Sequence, residues 1–429
     1  MASTQEIELK TASWHAEITR YHWLVLLLAC AGWVFDVYEG QIFNLTSSQM
    51  LGDIVPNIDA SETRRFGDMA LAAFLVGGAI GGIASGVLAD RHGRKPVLVW
   101  TIVVYSLFSG LTFFVDAWWQ VLVLRFLVAI GVGGAWSVAA TMVAEVFPKR
   151  LRAYASSFFH ATSVLGGFLA TFVAIAVAAQ WRYAYLLGLL PAALALVIRS
   201  RLHEPTASQD SSDGAEGTGA RGSLKELLFV APWSGRAVGG LLLAAVGLGT
   251  FWGINVAGQD LAREFFVADG MATADAMERS KFAFGIVQGI GGGLGLVFFG
   301  PLCTFLGRRR AFIVAQLAAY VMVPIMCYVP ATTLHLYCLL PVFGFVTVGF
   351  HAGYAVYFPE LFPQRLRATG TGFCFNGGRL AAAIVLVASS TIKSHMDLHL
   401  ALILLSQLFL CGAVCAWLMP ETRGADLSQ

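Results

Sequence analysis

The sequence predicts an all-α integral membrane protein in which twelve transmembrane helices form two pseudo-symmetric six-helix bundles. Three observations lead to this fold class. Hydrophobic residues make up 57% of the 429 residues and charged residues only 13%, whereas an ordinary soluble domain carries about 25% charged residues. A long polar segment divides the chain near its middle, and short motifs recur in the two halves at a nearly constant offset.

A transmembrane helix needs about 20 largely apolar residues to cross the hydrocarbon layer. The sequence contains twelve such runs, at 21–45, 67–89, 96–116, 119–145, 153–178, 182–199, 236–258, 282–306, 311–329, 334–358, 367–392 and 397–419. The polar middle segment has the composition of a flexible linker. These boundaries predict an N-terminal tail (1–20), a first bundle (21–201), a linker (202–235), a second bundle (236–419) and a C-terminal tail (420–429).

Lysine and arginine residues are concentrated in the two tails and in the loops that lie on the same side of the membrane. Cytoplasmic loops of membrane proteins carry this excess of positive charge. We therefore expect both termini and the linker in the cytoplasm. The protein itself is expected in the plasma membrane, which is the inner membrane if the source is bacterial.

The two halves carry matching motifs. Residues 145–153 read EVFPKRLRA and residues 360–368 read ELFPQRLRA, an offset of 215. The GRK at 93–95 matches the GRR at 307–309 at an offset of 214. Chance matches would not share an offset, so the halves are copies of one six-helix unit. Two such parallel repeats predict a solute site at their interface, with access that alternates between the two sides.

The segment GVLADRHGRK at 86–95 resembles the signature loop of the major facilitator superfamily. Its second copy, GPLCTFLGRRR at 300–310, has Thr304 in place of the acid. The closing PETRG at 420–424 resembles the end signature of sugar porters and their organic-ion relatives. The resemblance covers nearly the whole chain. It implies the twelve-helix major facilitator fold and, most closely, the branch of proton-coupled aromatic-acid and organic-anion symporters.

Charged residues at the cytoplasmic helix ends of that superfamily form ion pairs that hold the outward-open state. The resemblance implies this gating role for Asp90, Arg94, Glu145, Arg309 and Glu360. The alternative is that these charges anchor the loops on the positive side of the membrane and cap helix ends.

Ionisable side chains at membrane depth are costly, so each is a candidate functional residue. Asp36 in the first span and Arg125 in the fourth are expected at one depth, with Glu39 one turn beyond Asp36 on the same face. An arginine that holds an aspartate ionised and then releases it is a protonation switch. The pair also resembles the proton-coupling pair of sugar and organic-acid symporters. We predict that these three residues couple transport to protons. A static ion pair in a uniporter is the alternative.

Arg379 lies near the middle of the eleventh span, and the spans of the second half contain no acid at that depth. A guanidinium without a partner can bind a carboxylate through two parallel hydrogen bonds. The organic-anion and aromatic-acid carriers of the superfamily similarly place an arginine in this helix. The alternative is that Arg379 pairs across the cavity with Asp36 or Glu39.

Aromatic and polar residues of the second half complete the predicted substrate site. They are Trp252, Asn255, Gln288, His351, Tyr354, Tyr357 and Asn376. Aromatic residues at helical spacing also pack between helices, so we expect about half of the set to contact substrate. His351 is a candidate polar contact or proton acceptor, although a buried, hydrogen-bonded histidine is expected equally often.

Other function classes have little support in the sequence. The net charge of +2 argues against nucleic acid, and the cysteines show no metal-binding spacing. No nucleophile with an oriented base indicates an enzyme, so no cofactor or metal is expected. The predicted function is proton-coupled symport of a small organic anion, a mono- or aromatic carboxylate, by a monomer in the lipid bilayer. A proton-coupled or facilitative sugar transporter is the alternative, and a transporter-like nutrient sensor is a second alternative.

Overall fold

The computed structural model describes residues 17–177, 180–204 and 220–427, and within these ranges it contains helices and no strand. Twelve long helical segments follow one another and are numbered α1 to α12. Their bounds are Arg20–Ile54, Ala60–His92, Arg94–Phe114, Trp118–Val146, Arg152–Val177, Arg182–Arg201, Trp233–Ala268, Thr273–Leu306, Arg308–Tyr328, Thr333–Leu361, Arg367–His395 and Leu398–Leu418. In the described ranges, the eleven segments other than α11 are long and apolar enough to cross a membrane. α11 is a continuous helix of 29 residues.

Several helices extend beyond the apolar runs. α1 continues to Ile54 rather than ending at residue 45, and α7 continues to Ala268 rather than ending at residue 258. α8 begins at Thr273 rather than at residue 282. All three extensions lie at the same end of the bundles and carry polar residues. Hydropathy marks only the part of a helix that lies in hydrocarbon, so the sequence underestimates helices that project into water.

The linker between the two halves differs in part from the expectation. Residues 205–219 lie outside the described part of the chain, as do 1–16 and 428–429. The next residues include a short helix, Leu224–Phe229, and α7 begins at Trp233 rather than at residue 236. The short helix forms because the Ser223 hydroxyl accepts a hydrogen bond from the Glu226 backbone N–H at 3.2 Å. Glu226 also pairs with Arg365, which ties this helix to the second bundle.

Glycines allow the helices of each bundle to approach closely, and they do so at equivalent positions of the repeat. A Cβ atom on Gly81 of α2 would lie 2.1 Å from the Ile130 carbonyl oxygen of α4. A Cβ atom on Gly295 of α8 would lie 2.3 Å from the Phe345 carbonyl oxygen of α10. Small residues drive helix packing where lipid removes the hydrophobic drive. The glycine repeat therefore packs α2 on α4 in one bundle and α8 on α10 in the other.

We expect Gly81→Val to lower the thermal unfolding temperature of the detergent-purified protein by several degrees. The added side chain meets backbone atoms that cannot rotate away, and overpacking of this kind costs about 1–3 kcal/mol. Gly67→Val in the same helix is the matched control, because a Cβ atom at Gly67 meets nothing within 4 Å. Equal unfolding temperatures for the two variants would contradict the packing role of Gly81.

The two described chain ends lie together. The Arg367 guanidinium donates to the Leu427 carbonyl oxygen at 2.9 Å, and Arg150 lies 3.8 Å from Glu17. We call this membrane side the termini face. Close to it, a Cβ atom on Gly86 would lie 2.4 Å from the backbone oxygen of Ala368 in the other bundle. The repeat-related contact is made by Gly300, where a Cβ atom would lie 2.5 Å from the Ala153 carbonyl oxygen. The bundles therefore close against each other near the termini face, α2 on α11 and α5 on α8.

Candidate functional site

A cavity of about 390 Å³ lies between the two bundles and is lined by residues of both. The first bundle contributes α1, α2, α4 and α5, and the second contributes α7, α8, α10 and α11. The wall includes six aromatic side chains, Trp33, Phe74, Phe251, Trp252, Phe284 and Phe375, and four amide side chains, Gln41, Asn44, Asn255 and Gln288. Asp36 and Arg379 are the lining residues with a formal charge among the described residues. The cavity therefore combines an apolar, aromatic wall with one acid and one base.

Arg379 projects from α11 into this cavity. Its guanidinium lies over the Phe375 ring, 5.0 Å from the ring centroid. It forms no hydrogen bond and no ion pair within 4.0 Å with any residue that the structure describes. It interacts electrostatically with Asp36 of the opposite bundle. The direct pairing with Asp36 or Glu39 that the sequence left open as the alternative is therefore not formed within 4.0 Å among the described residues.

Asp36 lies on α1 and faces the cavity, and only 2% of the residue is exposed. Its Oδ1 has no hydrogen-bond partner. A buried carboxylate oxygen without a donor is costly while it is charged. Protonation of Asp36, or the approach of a cation, therefore strongly lowers the free energy of this side chain.

The structure does not place Asp36 and Arg125 in the ion pair predicted from their similar depth. Arg125 instead donates to the backbone carbonyl of Glu39 at 3.0 Å, and its guanidinium lies between the rings of Phe43 and Phe74 at 4.6 and 4.3 Å. Arg125 thus meets α1 at Glu39, one turn from Asp36, where two aromatic rings hold its side chain. Arg125 therefore fixes the backbone of α1 and does not line the cavity.

Glu39 is fully buried behind the cavity wall. Its Oε1 accepts a hydrogen bond from the Ser109 hydroxyl of α3 at 2.7 Å, and its Oε2 has no partner. Glu39 and Arg125 interact electrostatically. The sequence grouped the three ionisable residues in one site, whereas the structure divides them into a cavity residue, Asp36, and a buried pair.

Two π-helical turns shape the wall of the second bundle, at Phe251–Asn255 in α7 and Ala283–Gln288 in α8. Such bulges occur frequently at functional sites. The Gln288 amide donates to the Asn255 side-chain oxygen at 2.8 Å, and the Thr347 hydroxyl donates to the same oxygen at 3.0 Å. Trp252, Asn255 and Gln288 all line the cavity, as the sequence predicted.

His351 also lines the cavity, from a short 3₁₀ turn in α10. Its Nδ1 lies 2.9 Å from the Val348 carbonyl oxygen and its Nε2 lies 3.0 Å from the Gly247 carbonyl oxygen. Both ring nitrogens thus face backbone groups. His351 contributes ring surface to the cavity and links α10 to α7.

Three residues predicted to bind substrate lie elsewhere. Tyr354 and Tyr357 are fully buried, and their hydroxyls donate to the carbonyl oxygens of Leu243 and Pro420. Asn376 lies at the contact between bundles, where its amide donates to the Gly133 carbonyl oxygen at 3.3 Å. His351 and Tyr354 both face α7, with ring centroids 5.6 Å apart, but Tyr354 lies one turn further along α10 and is sealed off from the cavity. These three side chains hold the helices together.

Other lining residues were missed, above all His160 of α5 and Phe375 of α11. The two are 215 residues apart, which is the repeat offset. The same offset relates Trp136, which contacts His160, to His351. The offset therefore leads from His351 to Trp136, the neighbour of His160, but from no predicted site residue to His160 or Phe375.

A network of charges closes the termini face. Arg94 binds Glu145 within the first bundle at 2.9 Å, and Arg367 of the second bundle binds the same carboxylate at 2.9 Å. Asp90 pairs with Arg94 at 3.0 Å. It also accepts hydrogen bonds from the backbone N–H and the hydroxyl of Thr369, at 2.8 and 2.6 Å. Asp90, Arg94 and Glu145 therefore connect the two bundles.

Arg309 does not take part in this network. Its guanidinium lies over the Trp417 ring at 5.8 Å. Arg308 instead binds Glu360 at 2.8 Å, and Arg152 of the first bundle lies 4.0 Å from the same carboxylate. Arg308 is the residue that the repeat offset of 214 matches to Arg94, so the correct arginine was one position earlier.

Helix capping, the alternative for these charges, applies to Asp90, which accepts hydrogen bonds from the backbone N–H groups of Ala368 and Thr369 at the start of α11, at 3.1 and 2.8 Å. At the starts of α3 and α9 the capping acids are residues outside the predicted set. Glu204 accepts hydrogen bonds from the backbone N–H groups of Arg94 and Lys95 at the start of α3. Glu421 accepts from those of Arg308 and Arg309 at the start of α9, at 2.9 and 3.1 Å. The carboxylates of Glu145 and Glu360 are thus left for arginine side chains.

Known proteins share this architecture. A putative metabolite transport protein of Haemophilus influenzae is 28% identical over 421 residues, which cover 96% of this chain and 99% of that protein. A probable 4-methylmuconolactone transporter of Cupriavidus pinatubonensis is 28% identical, covering 94% and 91% of the two chains. A sialic acid transporter of Escherichia coli is 25% identical, covering 92% and 94%. The solved structure of a proton:xylose symporter matches with a TM-score of 0.76 and 19% identity, covering 95% and 98%.

The model of the Major Facilitator Superfamily matches residues 37–384. That range includes helices of both bundles, the charges of the termini face and the cavity lining except Trp33 and Asp36. The similarity to these three relatives covers nearly the whole length of each, and all three are named as transport proteins. The chain belongs to the major facilitator superfamily and is a membrane transporter rather than an enzyme.

Proposed function

We propose that this transporter carries a small organic anion, an aromatic monocarboxylate, together with a proton by alternating access. One observation carries the proposal: the guanidinium of Arg379 faces an aromatic cavity without a hydrogen bond or ion pair to any described residue. A guanidinium offers a planar fork of donors that matches a carboxylate. An aromatic ring attached to that carboxylate would stack against Phe375 and the neighbouring tryptophans.

The net charge of the site is the reason that a proton accompanies the substrate in this proposal. In the empty carrier, the charges of Asp36 and Arg379 offset each other across the cavity. A substrate carboxylate that binds Arg379 leaves Asp36 without its counter-charge, and a proton on Asp36 restores neutrality. The loaded site then carries the same net charge as the empty one. Because either partial state leaves an uncompensated charge in an apolar cavity, substrate and proton bind together.

The positive loops place the termini face in the cytoplasm, and the cavity then opens to the outside in this conformation. A relative named as a sialic acid transporter is consistent with an acidic substrate. The amides of Asn255 and Gln288 favour the second candidate function, a sugar transporter, because amides can bind hydroxyl groups. Gln288 uses its amide N–H groups on Asn255, whereas its Oε1 has no partner and could accept a hydrogen bond from a sugar hydroxyl.

Matched probes test the proposal directly. Proteoliposomes are loaded with uptake buffer and supplied with labelled benzoate, benzamide or xylose, with and without an inward proton gradient. Benzoate and benzamide share size and ring, so preference for benzoate reports the carboxylate. We expect gradient-driven accumulation of benzoate alone. Equal uptake of benzamide, or uptake of xylose only, would contradict the anion, and benzoate uptake that ignores the gradient would contradict proton coupling.

We expect Asp36→Asn to abolish benzoate accumulation against its gradient while exchange of external for internal benzoate continues. Asparagine has the shape of aspartic acid but cannot take up or release a proton, so the two solutes are no longer linked. The measurement compares gradient-driven uptake with counterflow in the same liposomes. Asp116→Asn is the control, because its side chain is 87% exposed near Arg182, away from the cavity. Intact accumulation in Asp36→Asn would remove Asp36 from the coupling mechanism.

A further inference from the structure

His160 forms part of the cavity wall on the first bundle, and two tryptophans hold it in place. The indole N–H of Trp136 donates to Nδ1 of His160 at 3.1 Å. The indole N–H of Trp33 donates to the backbone carbonyl of His160 at 3.0 Å. Across the interface, the imidazole meets the edge of Phe375, with ring centroids 6.4 Å apart. The orientation of the imidazole is therefore determined on several sides.

The contact with Trp136 also determines the tautomer. An indole nitrogen only donates hydrogen bonds, so Nδ1 of His160 must accept and the single proton of the neutral ring lies on Nε2. Nε2 has no hydrogen-bond partner among the described residues. His160 is only 6% exposed, but Nε2 is not among the sealed atoms without a partner, so its N–H is accessible from the cavity. The wall thus presents an N–H group that a ligand can satisfy.

His160 and Arg379 come from opposite bundles, line the same cavity and interact electrostatically. We propose that His160 is a substrate-binding residue whose Nε2–H donates to the substrate carboxylate held by Arg379, and that Trp136 is the positioning residue that maintains this tautomer. The inference rests on the proposed function. It adds that the bound carboxylate is shared by the two bundles, so that occupancy of the site is linked to their relative position.

His160 acts as a neutral donor in this scheme. The ionisable groups that share the cavity wall with it are Asp36 on α1, His351 on α10 and Arg379 on α11. The positive charge of Arg379 opposes a second positive charge on the imidazole. The Trp136 N–H opposes it as well, because a protonated Nδ1 would set two donors against each other. A neutral donor contributes to anion binding without changing the charge balance between Asp36 and Arg379.

Equilibrium binding of benzoate to the purified transporter tests the assignment. We expect His160→Phe to weaken binding about 10-fold or more, because one hydrogen bond to a charged group is lost. His160→Gln places an amide N–H near the position of Nε2 and is expected to retain affinity within about threefold. His335→Phe, at an exposed position near the start of α10, is the matched control. Circular dichroism and thermal unfolding confirm that each variant is folded.

The outcomes separate the inference from the proposed function. Unchanged benzoate affinity in His160→Phe overturns the role of His160, and equal losses in the Phe and Gln variants overturn it too, since a packing role is then sufficient. If Arg379→Gln weakens benzoate binding while His160→Phe does not, the proposed function stands and this inference falls. If neither variant weakens binding, the anion proposal itself falls.

The tautomer of His160 tests the positioning role of Trp136. Trp136→Phe keeps the ring that stacks on Phe375 with centroids 3.7 Å apart but removes the N–H that faces Nδ1. The neutral imidazole of the variant can then carry its proton on Nδ1, which leaves Nε2 without a hydrogen to donate, and benzoate binding should weaken several-fold. The ¹⁵N NMR shifts of the His160 ring report the tautomer, and the loss of affinity should vanish when Trp136→Phe is made in the His160→Phe background. An unchanged tautomer, or an equal loss in that background, would overturn the positioning role.

Discussion

We expect Arg379→Gln to reduce benzoate uptake about 100-fold, through the largest loss of substrate affinity of any single substitution in the cavity. The variant keeps a polar side chain of similar length but loses the charge and the fork that bind a carboxylate. Truncating one partner of a desolvated charge pair costs about 2–5 kcal/mol or more. Arg379→Lys keeps the charge without the fork, and we expect an intermediate loss because lysine cannot bind a carboxylate in the same bidentate way.

The measurement combines initial rates of benzoate uptake with equilibrium binding, so that affinity is separated from transport. Arg65→Gln is the matched control, because Arg65 also lies over a phenylalanine ring, 5.3 Å from the Phe66 centroid, but outside the cavity. Wild-type uptake of benzoate in Arg379→Gln would refute the assignment. A loss of uptake with unchanged binding would show that Arg379 acts on Asp36 and not on the substrate.

The helices could be predicted from the sequence because the physics that places them is local. A run of apolar residues long enough to cross hydrocarbon has few other stable environments. Because EVFPKRLRA recurs as ELFPQRLRA, the sequence also predicted that the second bundle is a copy of the first. Helix ends in water carry no comparable signal, which is why α7 and α8 extend further than the apolar runs.

The cavity was predictable only in part, because depth along a helix is readable from a sequence but direction around it is less so. Arg379, Asp36, Trp252, Asn255, Gln288 and His351 line the cavity as residues at the right depth in the right helices. Tyr354 has the right spacing from His351 for a shared face. The two rings do lie together, 5.6 Å apart, and both face α7. Tyr354 is nevertheless fully buried, because the extent of the cavity along α10 is set by the packing of the neighbouring helices.

The charges of the termini face are the opposite case, because the sequence was sufficient to identify the arginine that binds each glutamate. Arg308 occupies the position of Arg94 in the second repeat, and the structure gives both the same role: each binds the glutamate at the end of the fourth helix of its bundle. The strict offset pointed to Arg308 rather than to Arg309. The contacts of Arg367 and of its repeat mate Arg152 differ. Arg367 lies 2.9 Å from Glu145, whereas Arg152 lies 4.0 Å from Glu360, so the repeat alone does not reveal the close contact of Arg367.

That asymmetry leads to the second large effect. We expect Glu145→Gln to abolish transport and to open the termini face, because it leaves Arg94 and Arg367 without the carboxylate they share. Both guanidinium groups and the glutamate are about 1–2% exposed, and breaking a buried pair of this kind costs about 3–5 kcal/mol. A bias of this size is enough to reverse the populations of two conformations. Hydrogen–deuterium exchange at the start of α5 and of α11 measures the opening and should become faster in the variant.

Glu360→Gln is the informative comparison, because Glu360 occupies the equivalent position in the second bundle. Its close partner, Arg308 at 2.8 Å, belongs to its own bundle, and its partner across the interface, Arg152, is 4.0 Å away. We therefore expect a smaller opening than in Glu145→Gln. Glu226→Gln breaks an ion pair with Arg365 within the second bundle and should leave exchange at the interface unchanged. Equal opening in the two repeat-related variants would mean that the bundles are held by both glutamates alike. If neither variant opened, the contact between the bundles at the termini face would instead depend on Asp90 and its hydrogen bonds to Thr369.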